Sequence, residues 1–131
     1  MVTDMLKKRN DVAMFPVIEQ ADLATLKTIM DDEYPDVLKR FLEESLSLMN
    51  AIHISMEENH EQLLTAIEVL VIGSKEVGAR RLAVYLQKLQ TMMKKKQITM
   101  ASELLAEIDE IFTETHRQLK KEVDVKDKRS A

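Results

Sequence analysis

Three histidines, His53, His60 and His116, are the first candidates for chemistry in this chain, which contains no cysteine. Imidazole nitrogens can take up a proton, a metal ion or a phosphoryl group near neutral pH. The absence of cysteine excludes thiolate zinc sites, disulfides and cysteine nucleophiles. Ser74 has no histidine at the spacing of a nucleophile and its base, so the sequence gives no support for serine catalysis.

One E-x-x-H spacing joins Glu57 to His60. In carboxylate-bridged di-iron bundles this spacing places two metal ligands on one helix face, but such a site needs a second pair and two further glutamates. The chain has a single copy, so we predict no metal site and no cofactor.

The segment 60–73 has the most unusual pattern of the chain. Projected as a helix at about 100° per residue, it has a core arc and an outer face. Five residues fall within the core arc: Leu63, Ala66, Ile67, Leu70 and Ser74. Glu68 points away from this arc, with Leu64, Val71 and Ile72 beside it and Val69 towards the other flank. An exposed face should be polar, so these residues predict either an apolar docking surface or a helix covered on all sides.

The elements that position these residues are predicted to be helices. The chain has 131 residues with only 2 glycines and 2 prolines, too few for the tight turns of a β-rich fold. Apolar periodicity predicts helices over 18–30, 34–58, 60–73, 79–93 and 99–123, with a break at 74–78. We therefore expect an all-α fold: an antiparallel four-helix bundle over 18–123 with an additional short N-terminal helix. Residues 1–17 form an N-terminal extension, and the charged stretch 124–131 is predicted to be a disordered tail.

Charge and hydropathy exclude two classes of partner. The formal net charge is −4, which leaves no broad basic face for nucleic acid. The first residues lack the apolar core of a signal peptide, and the chain has no apolar run of about 18 residues that could span a membrane. We therefore expect a cytoplasmic protein.

The stretch 66–82, which reads AIEVLVIGSKEVGARRL, resembles the signature of histidine-containing phosphotransfer (HPt) domains, approximately A-H-x-L-K-G-x-x-x-x-x-G-A-x-x-L. The resemblance extends over about 18–123, because FLEESLSL at 41–48 stands where the family has a similar helix. Val77, Gly78, Ala79 and Leu82 carry the best-preserved part. The resemblance implies the HPt-like bundle and a docking face on the motif helix.

Two registers align this motif. Alignment on Gly78 places Glu68 at the phosphorylated histidine of the family, Val71 at its lysine and Ile72 at its first glycine. Alignment on Gly73 instead places Val69 at the histidine and Ile72 at the lysine. We prefer the Gly78 register, because it keeps the site position exposed and the loop at its usual length. Neither register supplies the histidine or the lysine.

The resemblance therefore implies a degenerate HPt domain that has no catalytic residue and does not transfer phosphate. Its partners would be a response-regulator receiver domain or a histidine kinase, bound by a non-catalytic signalling adaptor. The residues predicted to contact the partner are Leu64, Glu68, Val71, Ile72 and Lys75, with Glu68 at the phosphoacceptor position.

Two alternatives stay open. The protein could be an active phosphotransfer protein that uses a non-standard histidine, with His60 as the best candidate. It could also be a structural helical bundle that self-associates, with the apolar face of the helix over 60–73 as the seam of a homodimer.

Overall fold

The structure, a computed structural model, describes residues 15–58 and 60–130. These residues form helices joined by short turns, and no strand occurs among them. In chain order the helices are α1 (Gln20–Met30), α2 (Tyr34–Glu58), α3 (His60–Glu76), α4 (Arg80–Lys94) and α5 (Ile98–Ser130), with a 3-10 turn (Asp31–Glu33) between α1 and α2.

The four long helices form a closed antiparallel bundle. Each packs against its neighbour in sequence, and α5 returns to pack against α2. Two side-chain hydrogen bonds show that α2 and α5 run in opposite directions. The Tyr34 hydroxyl donates to Glu122 Oε1 at 3.2 Å, whereas His53 Nε2 lies 2.8 Å from Asp109 Oδ1. The predicted fold class, a four-helix bundle with a short additional N-terminal helix, is confirmed.

Apolar stripes from all four long helices meet in one core, as the periodicity predicts. Burial of such surface is the main force that holds a bundle together. The largest fully buried side chains are Tyr34, Leu38, Ile52, Leu63, Ile67, Leu70, Leu82, Leu86, Leu89, Met93, Ile108 and Leu119. Burial, together with the charge of Glu122, raises the pKa of the Tyr34 hydroxyl. Within the described residues, no helix has the length and apolar content needed to cross a membrane.

Two predicted boundaries differ from the structure. α3 continues to Glu76, so Ser74, predicted to begin the break, lies inside the helix; its burial agrees with its predicted place in the core arc. The turn is therefore shorter than 74–78, because the Val77 N–H still donates to the Gly73 carbonyl. At the other end, the backbone of α5 is helical through Ser130, where a disordered tail was predicted over 124–131. Most of the predicted N-terminal extension, residues 1–14, lies outside the described residues.

Gly78 ends the turn between α3 and α4 and anchors the segment that precedes α1. Its φ is +74°, and its carbonyl accepts a 2.8 Å hydrogen bond from the Glu19 N–H. A Cβ at this position would lie 2.8 Å from the Glu19 carbonyl oxygen and 2.9 Å from Asp22 Cβ. Only glycine fits both the backbone conformation and this close contact.

Two arginines at the start of α4 fasten the same segment. Arg80 donates to both carboxylate oxygens of Asp22, from Nε at 2.8 Å and from Nη2 at 2.9 Å. Arg81 donates from Nε to the Phe15 carbonyl at 2.8 Å and from its backbone N–H to the Pro16 carbonyl at 3.2 Å. α1 is therefore attached to the turn that follows α3, the helix that carries the candidate site.

Gly78→Ala is expected to destabilise the protein by about 2–4 kcal/mol, since the new Cβ combines left-handed backbone strain with a clash. Gly73→Ala is the matched control. Its Cβ would lie 3.4 Å from the Phe41 ring, and alanine favours a helix interior, so the change should stay within about 1 kcal/mol. Urea unfolding of both variants measures the difference, and equal destabilisation would contradict this account of the turn.

The Asp22–Arg80 pair predicts a pH dependence of stability. The hydrogen bond from Arg80 holds the pKa of Asp22 below its ordinary value of 3.8. The pair therefore stabilises the fold above that value, and the contribution is lost as the pH falls through the lowered pKa. Asp22→Asn should unfold at lower urea than the parent at about pH 7, and the gap should close towards about pH 2. A gap that stays constant over this range would exclude the carboxylate as its source.

Candidate functional site

The candidate site is the outer face of α3, which lies between α2 and α4. The exposed residues of this helix after its first residue are Glu61, Gln62, Thr65, Glu68, Val69, Ile72, Lys75 and Glu76. Two of them are apolar: Val69 is 48% exposed and Ile72 is 54% exposed. Residues three apart on a helix are neighbours on its surface, so these two side chains form one apolar contact area.

We call Glu68, Val69, Ile72 and Lys75 the outer patch. An acid and a base flank the apolar pair, and all four side chains are exposed. The patch borders the contact between α2 and α3, because Gly73 follows Ile72 and faces the ring of Phe41. The chain therefore displays a small apolar surface with a charged rim at the middle of the motif helix.

Three of the five predicted contact residues are exposed as expected: Glu68, Ile72 and Lys75. Leu64 is half-buried and packs against the core. The predicted exposure of Val71 is wrong, since this side chain is only 7% exposed.

The error at Val71 has a physical cause. Val71 follows the fully buried Ile67 by one helical turn, on a helix that packs against a neighbour on each side. Two neighbours bury a wider arc than the single stripe used in the projection. Val69, which the projection placed on a flank and left out of the site, is exposed instead. Its spacing of three residues from Ile72 was the signal that could have identified it.

None of the three histidines belongs to the outer patch. His53 is on α2 and is paired with Asp109, and His60 is the first residue of α3. Eight residues separate His60 from Glu68, which corresponds to about 12 Å of helix. His116 is half-buried, with Nε2 at 3.4 Å from the Leu42 carbonyl oxygen. In the part of the chain that the structure describes, no three histidine or carboxylate side chains converge to hold a metal ion.

Comparison with known proteins gives matches only at the level of structure. No family model matches the sequence, and no curated protein matches it. Histidine-containing phosphotransfer protein B (HptB) from Pseudomonas aeruginosa PAO1 superposes with a TM-score of 0.79 at 24% identity, covering 83% of this chain and 96% of that one. A putative histidine-containing phosphotransfer protein from rice superposes with a TM-score of 0.79 at 14% identity, covering 94% and 96%.

The chain therefore has the fold of histidine-containing phosphotransfer proteins. The resemblance deduced from 66–82 and 41–48 is confirmed for the fold. Both comparison chains are covered almost completely, so the whole bundle is shared, including the helix that carries the outer patch.

A matched pair of substitutions tests the assignment of buried and exposed positions on α3. Val71→Asp places a carboxylate in the core, and we expect a loss of about 3 kcal/mol or more in the free energy of unfolding. Ile72→Asp places the same carboxylate in water, and the change should be within about 1 kcal/mol. Chemical unfolding monitored by circular dichroism measures both values, and a more damaging Ile72→Asp would refute the assignment.

Proposed function

We propose that this protein is a non-catalytic HPt-like signalling adaptor. It binds a response-regulator receiver domain or a histidine kinase in a two-component phosphorelay and does not transfer phosphate. One observation carries this proposal: the exposed centre of the motif helix presents Glu68, Val69 and Ile72, without a nitrogen nucleophile. A cytoplasmic location is part of the proposal, because such partners act on the cytoplasmic side.

The exposures on α3 favour the Gly73 register over the Gly78 register preferred from the sequence. The family motif needs its histidine and its lysine on the surface, one helical turn apart. In the Gly73 register these positions are Val69 and Ile72, and both are exposed. In the Gly78 register the lysine position is Val71, which is buried. In the Gly73 register, the loop between Gly73 and Gly78 is one residue shorter than in the family motif.

The side chains at these positions cannot support the phosphoryl transfer that the histidine and the lysine of the family motif carry out. Transfer requires a nitrogen lone pair that attacks the phosphorus of an aspartyl phosphate, and a nearby cation that balances the charge of the phosphoryl group. Val69 and Ile72 have neither a lone pair nor a charge. Glu68, the alternative acceptor position, adds a negative charge where the phosphoryl group would sit.

The same residues are suited to binding. Protein interfaces commonly have an apolar centre and a polar rim, and the outer patch reproduces this arrangement with Val69 and Ile72 between Glu68 and Lys75. Exposed apolar neighbours of this kind mark interaction surfaces more often than isolated ones do. Loss of the reactive group with retention of the docking surface is the arrangement expected of an adaptor.

The surroundings of the histidines on α2 and α3 also argue against phosphorylation of this protein. The ring of His53 contacts the carboxylate of Asp109, and Glu57 lies one helical turn further along α2. His60 is followed directly by Glu61. A phosphoryl group on the ring of His53 would carry about −1.5 to −2 charges and would be repelled by the Asp109 carboxylate.

Binding and phosphotransfer can be tested together with purified receiver domains and histidine kinases from the source organism. We expect at least one to bind the wild-type protein in isothermal titration calorimetry. Ile72→Asp and Glu68→Arg should each weaken that binding about tenfold or more if they lie at the centre of the contact. Radiolabelled phosphate on the kinase or receiver domain should not move to this protein.

Glu43→Lys is the control, because Glu43 is exposed on α2 and the substitution changes the charge without touching the outer patch. Its binding should equal that of wild type. Label on this chain that disappears in His60→Gln would establish the active alternative and reject the adaptor. Binding that survives both Ile72→Asp and Glu68→Arg would remove the outer patch as the docking surface.

A further inference from the structure

Two charged residues hold a backbone conformation that favours glycine. Within the described residues, Asp31 (φ +50°) and Lys96 (φ +60°) are the positions of positive φ that are not glycine. Asp31 caps the C-terminus of α1, and Lys96 follows the last turn of α4. Glycine is the usual residue at a positive φ near the end of a helix, because a Cβ is strained there. When a residue other than glycine occupies such a strained backbone conformation, its side chain often has a function.

Asp31 lies in a dense acidic cluster next to an exposed apolar side chain. Asp31, Asp32, Glu33 and Asp36 are all exposed. Ile29, two residues before Asp31, is 71% exposed, the highest value among the large apolar side chains that the structure describes. We call these five residues the acidic end.

Lys96 lies in a corresponding basic cluster, also with apolar neighbours. Lys94, Lys95 and Lys96 are exposed, and Ile98 and Met100 follow with 46% and 52% exposure. We call these five residues the basic end. Each end thus combines a run of like charges with apolar surface in water.

The two ends lie at opposite poles of the bundle. The acidic end adjoins Tyr34 at the start of α2, and Tyr34 is hydrogen-bonded to Glu122 of α5. The basic end adjoins Ile98, where α5 begins. The helix between Ile98 and Glu122 is about 36 Å long, so the two clusters cannot neutralise each other within one molecule.

Helix-end electrostatics account for only part of this arrangement. The macrodipole favours lysines at the C-terminus of α4 and acidic residues at the start of α2. It disfavours Asp31 at the C-terminus of α1, and it gives no reason for the exposure of Ile29, Ile98 and Met100.

We propose that the acidic end of one molecule binds the basic end of a second copy of this chain. The two surfaces are complementary in charge, and each supplies apolar side chains to the other. A second copy fits better than a polyanion, since the basic end has three lysines on a chain of net charge −4. Binding of a nucleic acid or an anionic membrane generally relies on a broader basic face than three lysines supply. This contact does not use the outer patch and is independent of the proposed adaptor function.

The geometry of such a contact is heterologous, because two different surfaces meet. A heterologous contact extends into a chain of molecules unless a second equivalent contact closes it into a dimer or ring. The charged part should weaken as salt screens it, over a Debye length of about 8 Å at 0.15 M ionic strength.

Light scattering and sedimentation of the purified protein at concentrations up to about 1 mM test the proposal, since small interfaces are weak. We expect a molar mass above that of the monomer at low salt, falling towards the monomer in about 0.5 M NaCl. Lys95→Glu/Lys96→Glu and Asp32→Lys/Glu33→Lys should each weaken self-association about tenfold or more. An equimolar mixture of these two variants should associate again, because each supplies the charge that the other lacks.

Gln87→Glu/Thr113→Glu is the control, as it adds negative charge at exposed positions of α4 and α5 that belong to neither end. Its self-association should equal that of wild type. Circular dichroism and thermal melting confirm that every variant is folded. A wild-type protein that stays monomeric at low salt would overturn the proposal. So would self-association that is insensitive to both double substitutions or that Ile72→Asp abolishes. Monomers that bind a DNA duplex or phosphatidylserine vesicles through Lys95 and Lys96 would assign the basic end to a polyanion instead.

Lys96→Gly separates a structural role from a binding role. Glycine relieves the strain at this position, so the monomer should become more stable in urea. If Lys96 is retained for the contact, self-association should weaken in the same variant. Greater stability with unchanged self-association would show that Lys96 serves only as a helix cap, and it would count against the proposal.

Discussion

The packing of α3 between α2 and α4 determines what this protein can present to a partner. Each neighbouring helix buries one flank of α3, so only a narrow outward strip stays in contact with water. Ile67 and Val71 lie within the buried arc, whereas Val69 and Ile72 lie outside it. Gly73 faces the ring of Phe41 on α2. This arrangement determines which residues form the outer patch. A substitution elsewhere in the core would change that set of residues only if it moved these helices.

The bundle itself was predictable from the sequence, because apolar spacing over four long segments leaves few other ways to bury their stripes. The long helix over 34–58 was predicted with the bounds that the structure gives for α2. The limits of prediction appear where a residue's surroundings come from distant elements. The burial of Val71 depends on a second neighbouring helix, and the turn after α3 is held by the hydrogen bond between Glu19 and Gly78. Neither is encoded in local spacing. The predicted exposure of Glu68, Ile72 and Lys75 was therefore correct, whereas Val71 was misplaced and the exposure of Val69 was missed.

Fold and chemistry are separable in a bundle of this kind. The core that maintains the four helices consists of inward-facing side chains, whereas the reactive group of a phosphotransfer domain is an outward-facing one. Exchange of a surface histidine and lysine for apolar residues leaves the core packing intact. This independence explains how a chain at 24% or 14% identity to phosphotransfer proteins keeps a TM-score of 0.79 with each, while its motif helix lacks an imidazole at the centre. Under the proposed function, the surface that remains serves recognition.

The attachment of α1 has a consequence for the dynamics of the protein. Many of its anchoring contacts converge on one short turn: the Glu19–Gly78 hydrogen bond, the Asp22–Arg80 pair, and the bonds from Arg81 to Phe15 and Pro16. Leu23 is the only side chain of α1 that is fully withdrawn from water. A segment held in this way can open as a unit while the four long helices stay folded. Amide protons of α1 should therefore exchange with solvent sooner than those of α3, which makes the first helix the least protected element of an otherwise cooperative domain.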